Sequence, residues 1–163
     1  MPISKIIDAG VTGLSFEIDM WQLPSAHTTN AIITAWARPP SSTGYAKAGT
    51  GMSHSSGIFT FPSTGLWRFS LSFRLNLLST DTSAGIYVNL STDGGTSTTQ
   101  IAGAFENRNS NSSCHTQALV NVTDISNFQL SFIASGIDSG GQVAGLTPRS
   151  DCSIIFERIT DSQ

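Results

Sequence analysis

The sequence predicts an all-β sandwich of the jelly-roll kind, and three observations carry that reading. Charged residues make up only 12% of the 163 residues, while Ser and Thr supply roughly a quarter. Charge is thus about half its usual share, and long helix formers are scarce beside β-compatible residues. From Trp67 the odd positions Trp67, Phe69, Leu71, Phe73, Leu75 and Leu77 are apolar, with Arg68, Ser70, Ser72, Arg74 and Asn76 between them. A period of two describes a strand with one buried face. Further short alternating runs recur at close intervals, separated by Gly, Asn, Ser and Pro. About ten such strands joined by polar turns make a sandwich.

In chain order, Leu14 to Leu23 and Ala31 to Trp36 read as two strands. Pro39 to Ser56, dominated by Gly, Ser, Thr and Pro, reads as loop with one edge strand. Gly57 to Phe61 is a short strand, closed by Pro62-Ser63-Thr64-Gly65 before the long strand begins. Pro followed closely by Gly is turn chemistry. Gly85 to Leu90 alternates, Asp93-Gly94-Gly95 signals a hairpin, and Thr98 to Phe105 is its partner. Asn107 to Ser113 reads as an exposed loop. Cys114 to Val122 and Asn127 to Phe132 alternate, Gly136 to Arg149 reads as a Gly-rich loop, and Cys152 to Ile159 closes the chain. The expected core is Trp67, Phe69, Leu71, Phe73, Ile86, Val88, Val120, Phe128, Leu130, Phe132 and Phe156. This length suits one domain, taken as 14–163, with an arm at 1–13.

The same residues exclude several classes of function. A net charge of −3 leaves no electrostatic footprint for nucleic acid. No run approaches the length of a membrane span, and the first residues lack a signal-peptide pattern. His27, His54 and His115 stand far apart, outside any metal-ligand spacing, and read as strand or surface positions. Cys114 and Cys152 fall at core-facing positions and read as buried free thiols. Ser91-Thr92-Asp93-Gly94-Gly95 lacks the further carboxylates of a calcium loop and reads as a turn. Gly49, Gly51 and Gly57 lack phosphate-loop spacing. No GxSxG elbow and no paired acidic motif is present, so neither an enzyme nor a cofactor is expected. The sequons at Asn89, Asn111 and Asn121 read as unmodified. Trp67 belongs to the core, and Trp36, beside Arg38-Pro39-Pro40, to core or interface.

The run from Gly57-Ile58-Phe59-Thr60-Phe61-Pro62 through Gly65-Leu66-Trp67-Arg68-Phe69 to Phe73 resembles the signature of the tumour necrosis factor (TNF) superfamily, its complement globular-head branch above all. That pattern is Phe, then Pro, then Gly-x-Tyr-x-Phe leading into the longest inner strand, with Trp67 here at the Tyr position. Ile86 to Leu90, Ala118 to Asp124 with Asn127 to Phe132, and Cys152 to Ile159 are similar to the later strands. In a narrower form, Asp19-Met20-Trp21-Gln22-Leu23, Gly49-Thr50-Gly51-Met52, Gly57 to Phe61 and Ile155 to Asp161 resemble stand-alone virion modules of marine bacteriophages.

The resemblance implies a homotrimeric, TNF-like jelly roll. Trimers of that kind pack their inner sheets around a threefold axis. The residues expected there are Arg68, Ser70, Ser72, Gln117, Leu119, Ile155 and Glu157, with Arg68 or Arg74 available to pair with Glu157. It implies a virion structural protein, a capsid decoration or cement trimer whose partners are itself and other virion proteins. The alternative is a receptor-binding fibre or knob that holds host glycan with the loops Asn107–Ser113 and Gly136–Arg149. A secreted signalling ligand is disfavoured, because no signal peptide or stalk pattern is seen. Within the arm, Ile3, Ile6 and Ile7 are expected to insert into a partner virion protein and anchor the trimer.

Overall fold

The computed structural model describes residues 16–78, 83–107, 111–138 and 140–163. Among these, eleven strands follow in chain order: β1 (Ile18–Gln22), β2 (Ser25–His27), β3 (Ser53–Ser55), β4 (Ile58–Thr60), β5 (Gly65–Asn76), β6 (Ser83–Ser91), β7 (Thr99–Asn107), β8 (Asn111–Val122), β9 (Gln129–Ser135), β10 (Gln142–Leu146) and β11 (Cys152–Thr160). A single 3-10 turn at Ser41–Thr43 interrupts the long connection between β2 and β3.

Two antiparallel sheets form. Sheet A runs β1-β11-β5-β10-β2, with β8 on the other edge of β5, and sheet B runs β3-β4-β9-β6-β7. The long alternating strand β5 is the axis of sheet A. It pairs with β8 over its whole length, from Gly65↔Val122 to Asn76↔Asn111. Its opposite edge is shared by β11, opposite Leu66–Phe73, and by β10, opposite Leu75 and Asn76. Gly65, at φ +147, lies so close to the Arg158 guanidinium and the Thr160 carbonyl that a Cβ there would stand 2.6 Å from Arg158 Nε.

The period of two then sorts the side chains. Trp67, Phe69, Leu71, Phe73 and Leu75 of β5 point inward, facing Phe59, Ile86, Val88, Leu130, Phe132 and Ala134 from sheet B. Phe132 meets Phe59 and Phe69 edge-on at 5.6 and 5.9 Å between ring centroids. Such edge-to-face pairs add to plain burial. All the expected core residues are buried except Phe128, which is half-buried at the margin of the core. Trp36 is buried against Phe59 and Phe132.

Four segments differ from expectation. Ala31–Trp36 is not a strand: it makes one bridge, Ile32↔Ile133, and delivers Ile33 and Trp36 to the core without a ladder. The segment Gly136–Arg149 contains β10, held between β5 and β2. Of Asn107–Ser113, Asn107 ends β7 and 111–113 open β8. The first strand is confined to Ile18–Gln22 within the described residues, and β2 follows it unannounced.

Candidate functional site: the outer face of sheet A

Even positions of β5 and odd positions of β8 and β11 point away from the core. The register aligns them in rows. Arg68 lies between Leu119 and Glu157, Ser70 between Gln117 and Ile155, and Ser72 between His115 and Ser153. On β1, Ile18 and Met20 extend the first two rows. The seven residues Arg68, Ser70, Ser72, Gln117, Leu119, Ile155 and Glu157 therefore share one face. Parity brings them together, because the strands that carry them are hydrogen-bonded neighbours.

This face is mixed in character. Leu119, Ile155 and Ile159 are 60, 37 and 47% exposed. Between them Arg68 donates from Nε and from a terminal nitrogen to one Glu157 oxygen, at 2.8 and 2.6 Å. Arg74 pairs instead with Asp151 at 2.9 Å. The small side chains of Ser70 and Ser72 keep the centre of the face low. A shallow hollow of about 370 Å³ lies over Arg68, Gln117, Ala118 and Leu119.

A second depression, about 310 Å³, is lined by Ser72, Arg74, Ser113, His115, Ser150 and Asp151. Within it the Ser72 hydroxyl lies 3.0 Å from His115 Nδ1. A nucleophilic serine needs more than a neighbouring imidazole. Ser72 sits mid-strand with ladders on both sides, so its own backbone is engaged in the sheet and is not offered to a developing oxyanion. The carboxylate of Asp151 is already engaged by Arg74 and Arg149 and does not orient His115. The pair is a polar contact across two strands.

The cysteines lie on the other side of the same sheet. Cys114 and Cys152 flank Phe73 from β8 and β11, and both are free and buried. Two strand spacings separate them by about 9–10 Å, beyond the reach of a disulfide. Desolvation, with Glu106 adding repulsion, pushes the Cys114 thiol up to about 11, and burial raises Cys152 as well.

One polar constellation has no local sequence signal. The Asp19 carboxylate, 1% exposed, accepts from Arg38 Nε and a terminal nitrogen at 3.0 and 2.7 Å, and from the Tyr45 hydroxyl at 2.6 Å. It also accepts from Trp21 Nε1 and the Met52 amide, both at 2.9 Å. Arg38 in turn stacks 4.3 Å above the Trp21 ring. Beside it, Glu17 accepts from the Gly51 amide at 2.9 Å. Burial opposes the Asp19 charge, but the hydrogen bonds from Arg38, Tyr45 and Trp21 outweigh it and hold the carboxyl below its ordinary 3.8. The network straps the connection between β2 and β3 onto β1. A glycine at 51 is required, since a Cβ there would stand 2.7 Å from Asp19 Oδ2. No group of three or more His, Cys, Asp or Glu suited to a metal ion occurs among the described residues.

This topology is that of a TNF-like jelly roll. Similar solved structures include an Eiger TNF from S. frugiperda, with TM-score 0.68 and 11% identity over 91% of this chain and 96% of that one. Murine APRIL at pH 8.5 is similar as well, with TM-score 0.64 and 10% identity over 88% and 99%. At that identity the likeness is one of fold. Neither a protein-family model nor a curated protein matches the sequence.

Proposed function

We propose that the chain is a homotrimeric assembly protein without chemistry of its own, packing its copies through the outer face of sheet A and decorating a virus particle. The observation that supports this reading is exposed Leu119 and Ile155 on one sheet face, with exposed Ile159 at the register shift that follows on β11. A lone exposed leucine is ordinary, whereas several apolar side chains on one face favour an interaction surface. The Arg68–Glu157 pair at its centre supplies charges of both signs, which suits contact between identical copies. The fold's likeness to TNF proteins supports threefold packing, and the resemblance of Asp19–Leu23, Gly49–Met52 and Ile155–Asp161 to phage virion modules supports the particle.

Docking is assigned to the arm, whose Ile3, Ile6 and Ile7 lie outside the described residues. Burying three isoleucines would contribute roughly 4–9 kcal/mol per subunit before ordering costs, and three arms act together. Quantitative mass spectrometry of purified particles tests the role. A high copy number that follows the capsid lattice is expected, and deleting residues 1–10 should leave a folded trimer that no longer joins particles. A low copy number would indicate a fibre component instead. Absence from particles would overturn the assignment.

A further inference from the structure

The opposite side of the sandwich carries a different feature. On the outer face of sheet B, a cleft of about 210 Å³ opens beside Ile32, Ile58, Asn89, Gln129, Ser131 and Ile133. Its floor is aliphatic. Ile133 of β9 is bridged to Ile32, and Ile58 of β4 stands opposite Ser131. Gly57, at φ +87, makes room for Ile32, whose Cγ2 would lie 2.3 Å from a Cβ at position 57.

Its walls are neutral and polar. Asn89 pairs with Ser131 across β6 and β9, and Gln129 lies one row further along, opposite Ser91. The side chains of Asn89, Gln129 and Ser131 bond to no other group among the described residues, so their capacity faces the cleft. Each amide offers two donors and an acceptor. The hairpin wall is fixed: the Ser91 hydroxyl accepts from the Gly95 amide and donates to Asp93, at 2.8 Å each. Asp93 also accepts from the Ser97 amide and hydroxyl at 2.9 and 2.5 Å. The hairpin's carboxylate is therefore occupied within the turn, and no ionised side chain lines the cleft.

We propose that this cleft binds one ring of a neutral saccharide. A pyranose has a C–H face that packs on Ile32, Ile58 and Ile133, and hydroxyl edges that both donate and accept, as the amides of Asn89 and Gln129 do. The volume lies below the roughly 300–1,000 Å³ of drug-sized sites, which suits the seating of a single ring. An uncharged wall gives a charged ligand no partner and favours a neutral one. The cleft lies on the sheet opposite to the proposed trimer face, so trimer packing leaves it open and the two proposals stand or fall separately.

Side-chain amides are directly visible by NMR, which makes the test local. The 15N-labelled full chain is titrated to tens of millimolar with methyl glycosides of glucose, galactose, mannose and N-acetylglucosamine, and with N-acetylneuraminic acid as the charged control. Saturable shifts of the Asn89 and Gln129 side-chain NH2 signals are expected with at least one neutral glycoside and not with the acid. Asn89→Ala and Gln129→Ala, each with unchanged melting, should weaken that binding at least tenfold. If one variant misfolds, the other carries the comparison. No saturable shift, equal response to the acid, shifts centred elsewhere, or full affinity in the folded variants would each overturn the site.

Discussion

Asp19 shows how one side chain can hold a long connection in place. Its folded pKa lies below the ordinary 3.8, so its contribution is complete above that value and is lost as pH falls through the folded pKa. Denaturation at pH 7 and pH 3 should therefore show stability falling with acid, and Asp19→Asn should flatten that fall. At pH 7 the same substitution should cost about 3 kcal/mol, the low end for breaking a buried pair, since Arg38 retains access to water. A variant as stable as the parent at pH 7 would mean that the network holds nothing. Cys114 and Cys152 make the opposite case, of chemistry withheld. With the thiol at 114 pushed up to about 11 and that at 152 wholly buried, iodoacetamide at pH 7 should add no mass to the native chain and two adducts after unfolding. Labelling of the native protein would contradict the burial.

At the scale of the element, β10 is the informative strand. Its five residues include Gly145, and a Cβ there would meet the Ser25 carbonyl oxygen at 2.2 Å and the Leu23 carbonyl oxygen at 2.8 Å, both backbone. Gly145→Ala must push β2 away and should cost about 1–3 kcal/mol in thermal melting, as other forced overpacking does. An unchanged melting temperature would remove that contact. The same strand shows where sequence reading stops. β5 is legible because twelve residues alternate without a break and half of them are large and apolar. β10 is illegible because its strand character comes from its partners, Leu75 and His27 being distant in sequence. Ala31–Trp36 fails in the reverse direction, with apolar residues that fill the core and do not build a ladder. Of the candidate site, parity together with the pairing of β8 and β11 to β5 places Arg68, Leu119 and Glu157 on one face, whereas Arg38 reaches Asp19 across 19 residues of irregular chain that no period describes.

For the whole molecule, the sandwich leaves two sheet faces with different chemistry. The outer face of sheet A is partly apolar and carries an Arg68–Glu157 ion pair, and that of sheet B holds a small neutral cleft. An assembly that covers the first and displays the second gives each face a task. Self-association through sheet A is measured by sedimentation equilibrium of the purified chain. A trimer sediments at about three times the 17.2 kDa chain mass, and a folded Leu119→Asp variant, which sets an unpaired charge in the interface, should fall to the mass of one chain. A parent protein that sediments at 17.2 kDa at micromolar concentration would contradict self-association.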